Sequence, residues 1–370
     1  HLVLKIMWDT RTRVVVIKMK NHIIISLLIL SVGLSQQEYD INDLIEMDNG
    51  LWTEKFSDEP ISGKVYGYFG ESKPYKKVYI GNLINGKKEG RWVIYYHSTG
   101  KKDSDKNYKD GILDGLFTYW YENGKKEKEG TFKDGELNGL WTLWWKNGNM
   151  RGKGTYKSGK RIGLYTDWFE NGKKKEEGTY IWVGRKHGLW ISWYENGQRE
   201  RELTYSDGHL KGKDIRWYEN GKKEWEGTWN GGIKEGLWIS WYENGQKKEE
   251  VTYKGYDIID GLSTMWYENG QKKIEGTWKD GKKDGLWTEW YENRQKKQEG
   301  NYKDGERDGL LTRWYKNGQK EGEGTYKGGN KDGLWTWWYE NGQIEFEGTI
   351  KDGELFEVIG VWNKDGSVNE

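Results

Sequence analysis

A glycine opening a Gly-Leu-Trp-like triplet recurs at Gly90, Gly115, Gly139, Gly163, Gly188, Gly212, Gly236, Gly261, Gly285, Gly309 and Gly333, at intervals of 24 or 25 residues. Gly63 opens a more divergent copy 27 residues upstream, which makes twelve copies. This periodicity constrains the fold more than any other feature. Each copy must form the same small unit, and so short a unit cannot bury its own apolar surface, so neighbours must cover one another. The 370 residues therefore describe one long domain, not two or three globular ones. A consensus copy reads GLWTxWYENGQKKxEGTYKDGKKD. Two of the extra residues fall within Tyr180–Gly188 and Tyr253–Gly261, 73 residues apart, which suggests duplication of a three-repeat block.

The unit reads as a β-hairpin. LWTxWY is a run of aromatic and β-branched types that favours a strand. Glu-Asn-Gly follows, and Asn-Gly is the strongest short hairpin signal because both residues tolerate positive φ. QKKxEGTYK is the return strand, and Lys-Asp-Gly turns the chain into the next copy. Neither proline lies beyond Pro74, as expected where nearly every backbone N–H is needed for pairing. The expected fold class is all-β: an elongated, single-domain antiparallel β-meander of twelve hairpin repeats over residues 63–356. Residues 36–62 and 357–370 break the pattern and are expected to cap the array.

We count repeat positions from the opening glycine as zero. Leu286, Thr288 and Trp290 occupy positions 1, 3 and 5, which are nearly constant and share one face. Trp287, Glu289 and Tyr291 occupy positions 2, 4 and 6 on the other. A two-residue Asn-Gly turn pairs positions that sum to 17, which places Trp287 opposite Gly300, Trp190 opposite Leu203 and Trp335 opposite Gly348. A Trp over a cross-strand Gly covers bare backbone. The same arithmetic puts Glu at position 7 opposite Gln or Lys at position 10. It also pairs two variable columns, positions 4 and 13, from Tyr119 with Lys128 through Met265 with Ile274 to Trp337 with Phe346. Asp167 opposite Glu176 would be unfavourable anywhere dry. The variable face is therefore expected to meet solvent and the Leu, Thr and Trp face to pack.

Composition narrows the function. Aromatic residues make up 15% of the chain, too many for a disordered chain of this polarity. Lys+Arg 60 against Asp+Glu 59 excludes nucleic-acid binding through bulk positive charge. Cys 0 excludes disulfides, zinc–thiolate sites and a thiol nucleophile.

Residues 1–18 read as a translated upstream stretch and 19–35 as a signal peptide: Met19 and Lys20, the apolar run Ile23 to Leu34, then the small residues Gly33 and Ser35. The run is short for a membrane span, so the mature chain is expected to have none, with an uncleaved anchor as the alternative. The location expected is secreted, periplasmic or in the cell envelope. Removing residues 1–35 takes away five basic residues and one acidic, leaving 55 against 58, so nothing draws the chain to anionic lipid.

The recurring GLWTxWYENGQKKxEGTYKDGKKDG and the entry segment FSDEPISGKVYGYF at 56–69 resemble the MORN-repeat variant of bacterial proteins labelled YwqK-family antitoxins. The resemblance covers residues 51–366. It implies an elongated antiparallel sheet of hairpins used for protein or membrane-surface contacts. Arg91, Lys213-Asp214, Ser263 and Arg294 depart from the pattern.

The search for chemistry is mostly negative. His97, His187 and His209 fall in turns without metal-ligand spacing. Carboxylates copied at fixed positions are structural, no glycine opens a helix to cradle phosphate, and no Ser or Thr is paired with a His. No catalytic residue, metal or cofactor is expected; only Asp167 and Glu176 suggest a cation. The candidate binding residues are Trp141, Trp190, Trp238, Trp287 and Trp335 at position 2, with the patches Met265/Ile274 and Trp337/Phe346. Exposed rings could stack on sugars, peptides or headgroups, or merely cover glycine. The function expected is a non-enzymatic binding scaffold for a protein or cell-surface component. A toxin-neutralising protein and a carbohydrate-binding surface protein are the alternatives.

Overall fold

The computed structural model describes residues 37–182, 184–256 and 258–369; the proposed signal peptide lies outside them. Among the described residues, 27 strands join into a single sheet, beside a separate two-stranded sheet of Leu44–Glu46 with Trp52–Glu54. There is no α-helix among them, only a 3-10 turn at Ile41–Asp43. From Gly63–Phe69 to Glu354–Val361 the strands follow chain order and pair antiparallel with their neighbours, Glu136–Leu137 and Gly139–Trp144 both pairing with Lys126–Lys133. The expected all-β meander of hairpins is what forms.

Both turns of the repeat are tight, but their roles differ from expectation. In the copy opened by Gly261, strands Gly261–Trp266 and Lys272–Lys279 pair as the rule of 17 requires as far as Met265 with Ile274. The register then slips, and Trp266 faces Lys272. Tyr267 N–H donates to the Gln271 carbonyl at 2.8 Å, and Gly270 N–H donates to Tyr267 at 2.9 Å. Of the turn residues only Gly270 has positive φ, +82°. This is a three-residue loop ending in a glycine bulge, not a two-residue turn, and the expected pairing of positions 7 and 10 does not occur. The two-residue turn with both residues at positive φ lies between repeats, where Asp280 (+49°) and Gly281 (+78°) join Lys279 to Lys282.

The constant turn residues earn their constancy through side chains. Asn244 accepts from Gln246 N–H at 2.8 Å, an Asx-type closure of its own loop. Its amide donates at 2.7 Å to the Glu268 carbonyl of the next loop. Tyr242 hydroxyl donates at 2.8 Å to the Trp266 carbonyl one repeat on, and Tyr218, Tyr267, Tyr291, Tyr315 and Tyr339 do likewise. Each loop is thus hydrogen-bonded to the following one.

Burial does not divide between the two faces as expected: on the Leu, Thr and Trp face only position 3 is buried, and on the other face position 2 is buried and the variable row half-buried. Leu at position 1 is exposed throughout, from Leu237 at 48% to Leu164 at 60%. Position 3 is threonine and buried in most copies: Thr288 Oγ1 donates to Glu299 at 3.0 Å, and Lys296 donates to the same carboxylate at 2.6 Å. A sheet one layer thick has nothing above a standing leucine. What it can bury is a side chain that lies flat on a neighbour, and that is the Trp at position 2. Trp190, Trp238, Trp287 and Trp335 are only 2–8% exposed.

At the amino-terminal end, Glu38–Asp40 adds a parallel strand beside Gly63–Phe69. Tyr39, Leu44 and Ile61 pack there with Val65, Ile80, Leu83 and Trp92 in a local core. At the other end the strand Glu354–Val361 runs through the boundary expected at 356, and Asn363 to Ser367 repeats the loop hydrogen bonds of the array.

Candidate binding face

The position-2 tryptophans cover glycine, but not the glycine opposite them in their own hairpin. Trp287 pairs in register with Gly300, yet a Cβ placed on Gly276 of the preceding repeat would lie 2.1 Å from the Trp287 ring. Gly178, Gly227 and Gly324 lie under Trp190, Trp238 and Trp335 in the same way. The indole N–H groups of Trp190, Trp287 and Trp335 donate to a backbone carbonyl of that preceding repeat at 3.1–3.2 Å. Aromatic residues at position 17 meet the same rings edge-on: Trp278 against Trp287 at 5.2 Å and Tyr326 against Trp335 at 5.2 Å. Above them sits a cation, Lys283 at 4.3 Å from the Trp287 ring centre and Lys331 at 4.3 Å from that of Trp335. Burial holds the Lys331 ammonium below its ordinary value.

This corrects the sequence reading at four candidate residues. Trp190, Trp238, Trp287 and Trp335 are packed between repeats and capped, so they offer no open face for stacking. Trp141 is half-buried against Phe117, with ring centres 5.1 Å apart.

The variable columns do come together. Positions 4 and 13 pair within each hairpin and again across to the next, so one row runs unbroken from Ser104 to Val361. At one end Ser104 faces Tyr119 and Tyr119 faces Lys128. In the middle Glu249 faces Met265, Met265 faces Ile274 and Ile274 faces Glu289. At the other end Gly322 faces Trp337, Trp337 faces Phe346 and Phe346 faces Val361. Most of the row is half-buried, and Arg313 is exposed. The patch Met265/Ile274 lies in this row as predicted. So does Trp337/Phe346, with rings 5.3 Å apart and Trp337 stacked on Trp335 at 5.2 Å.

Local chemistry resolves the acidic pair. Asp167 and Glu176 face each other, but Tyr165 donates to Asp167 at 2.9 Å and Lys186 binds Glu176 at 2.7 Å. Burial pushes the Asp167 carboxyl above the usual range. Among the described residues no group of three or more His, Asp or Glu is placed to hold a metal.

Sequence reasoning missed one cluster. Asp214 stands at position 2 in place of Trp and is 1% exposed. It accepts two hydrogen bonds from Arg201, at 2.9 and 2.8 Å, and one from the Trp229 indole at 2.9 Å. The available signal was a pair of departures. Leu203 replaces glycine at position 15 of one repeat, and the next repeat loses its Trp.

No curated protein matches the chain. Among solved structures, the crystal structure of TcdB2-TccC3 shows 10% identity over 79% of this chain and 18% of that chain, with a TM-score of 0.18. That of TcdB2-TccC3-Cdc42 shows 10% identity over 86% and 19%, with a TM-score of 0.17. The chain spans about a fifth of the length of either. The MORN repeat variant matches residues 113–134, 137–158, 161–181, 186–207, 234–254, 259–280, 283–304, 307–327 and 331–352. It skips 208–233, the repeat that carries Asp214. With more than half of its residues matched, the chain belongs to the MORN repeat variant family.

Proposed function

We propose that the protein is a non-enzymatic scaffold, secreted or held in the bacterial envelope, that binds a protein or cell-surface component along its variable row. The observation that supports this most is the unbroken row from Ser104 to Val361. Its residues change from repeat to repeat, while the loop hydrogen bonds and most of the Lys–Glu–Thr contacts around it recur. Constant positions hold the sheet, and the changing ones are free to select a partner. Trp337/Phe346 and Met265/Ile274 are its most apolar half-exposed pairs, the kind of residue that anchors an interface. No helix among the described residues is long and apolar enough to cross a membrane, and a mature charge near zero gives no pull toward anionic lipid or nucleic acid.

The test is capture from an envelope fraction using the full chain and a variant with Trp337→Ser and Phe346→Ser. A partner that is retained by the first and lost by the second, with circular dichroism unchanged, supports the reading. Identical partners for both, or one cytosolic toxin as the sole partner, would replace it, the latter with the antitoxin reading. With Trp190, Trp238, Trp287 and Trp335 buried, a carbohydrate reading would have to rest on a site other than that row of rings.

A further inference from the structure

The repeat opened by Gly212 is the one place where the aromatic column is interrupted by a charge. Asp214 fills far less space than the indole it replaces, and a cavity of about 280 Å³ lies beside it. The half-buried Trp225, Trp229 and Tyr253 supply its aromatic walls, Trp238 in the lining is already covered by Lys234, and Ser240 and Glu249 contribute polar groups. The register places Trp225 opposite Ser240 and Ser240 opposite Glu249, three consecutive members of the variable row. We propose that this cavity binds one neutral sugar ring.

Size, charge and hydrogen bonding support that choice. The volume lies just below the range of drug-sized ligand pockets, about 300–1,000 Å³, and suits one ring better than a chain. Of the four charged residues in the lining, Arg201 and Lys234 balance Asp214 and Glu249, so no net field selects an ion. The cations are already engaged: Arg201 by both Asp214 oxygens, and Lys234 over the rings of Trp238 and Tyr253 at 4.8 and 4.9 Å. An incoming ammonium would have to displace Lys234 from those rings. An incoming carboxylate would compete with Asp214 for Arg201.

Groups suited to hydroxyls are left over. Glu249 makes no ion pair among the described residues, and a carboxylate can accept from two adjacent hydroxyls. Ser240 adds a hydroxyl that can donate and accept, whereas the indole N–H groups of Trp225 and Trp238 are unpartnered but closed off from solvent, so the sugar hydroxyls meet Glu249 and Ser240. The C–H face of a pyranose packs on an aromatic ring while its hydroxyls meet polar groups at the rim.

The test is equilibrium titration of the full chain with methyl glycosides of glucose, galactose, mannose and N-acetylglucosamine, with choline and acetate as charged comparators. Tryptophan fluorescence and saturation-transfer NMR report binding. At least one glycoside should saturate the protein. Glu249→Gln should weaken it about tenfold, and Ser240→Trp, which fills the cavity, should abolish it. If Ser240→Trp disturbs the fold, the near-isosteric Glu249→Gln still decides. Saturation by choline or acetate instead, no saturation by any glycoside at millimolar concentration, or glycoside affinity unchanged in both variants would each overturn the proposal. It does not depend on the row's protein partner: a chain that captures no protein would still bind the glycoside.

Discussion

Replacing Gly276 by valine tests the central packing relation, in which position 15 of one repeat receives the ring at position 2 of the next. A Cβ at Gly276 would lie 2.1 and 2.3 Å from two Trp287 ring carbons, whereas carbon atoms settle at about 3.5–4.0 Å. The indole must therefore move by about 1.5 Å or more, which also breaks its 3.1 Å hydrogen bond to the Thr277 carbonyl. Overpacking costs about 1–3 kcal/mol and the lost hydrogen bond about 1 kcal/mol, so Gly276→Val should destabilise by about 3 kcal/mol. Trp287→Ser empties the same contact and should cost about 3–5 kcal/mol. Yet the protein already contains the combined solution, since Val251 at position 15 is followed by Ser263 at position 2, and both are buried. The double variant Gly276→Val/Trp287→Ser should therefore cost less than the sum of its parts by about 2 kcal/mol. Stability in an array is a sum of neighbour terms. Amide hydrogen exchange in strands Lys272–Lys279 and Lys282–Trp290 is thus the local readout, with urea unfolding as the global one. Additive costs, or a Gly276→Val variant as stable as the parent, would refute the relation.

Three further outcomes follow from single contacts. Arg294 occupies the loop position of the turn glycine at φ +73°; Arg294→Gly should raise stability by about 0.5–1 kcal/mol in urea unfolding, the relief of left-handed strain less the entropy of glycine. Tyr267→Phe removes the hydroxyl that joins one loop to the next through Trp290 and should lower stability by about 0.5–1.5 kcal/mol, with faster exchange of the neighbouring loop amides. Asp167 has its carboxyl raised, chiefly by burial, so its contribution is intact below the ordinary carboxylate range and is lost as pH rises through the raised folded value. Asp167→Asn should accordingly match the parent at acidic pH and exceed it in urea midpoint at neutral pH, and an equal difference at both would refute the assignment.

The hairpins were legible because their signals are local: aromatic and β-branched runs, glycines at the turns, and a period of two. The register was legible too, since Trp287 does face Gly300 and Met265 does face Ile274. The choice of face was not. Constancy at positions 1, 3 and 5 pointed to burial, which holds at position 3, where Thr288 also bonds Glu299, but not at position 1, where Leu286 stands exposed. A hairpin rule also cannot say whether a ring leans toward its own return strand or toward the previous one. Trp287 leans back onto Gly276, and that contact depends on two copies rather than one. The loop was misjudged for a similar reason. Asn-Gly was assigned by φ alone, whereas Asn244 is needed for its side-chain amide, which reaches the next loop.

The same relation explains why the Asp214 cluster occurs where it does. Where glycine at position 15 meets a large ring at position 2, the interface between repeats is filled and alike from copy to copy. Leu311 over Gly300 shows that another large apolar side chain can replace the ring alone, but a small or charged residue there calls for a larger neighbour at position 15, since otherwise a void is left. Val251 with Ser263 makes such a change without charge. Leu203 with Asp214 makes it with a carboxylate, and a buried carboxylate demands partners. Arg201, from the adjoining member of the variable row, and the Trp229 indole provide them. Arg201→Met should therefore cost about 3–5 kcal/mol by stranding Asp214, and Asp214→Asn in the same chain should recover much of that loss. Measured by urea unfolding, a null effect of Arg201→Met would mean that the carboxylate is held by something other than this pair. The repeat would then owe its departure from the family pattern to a cause other than volume and charge.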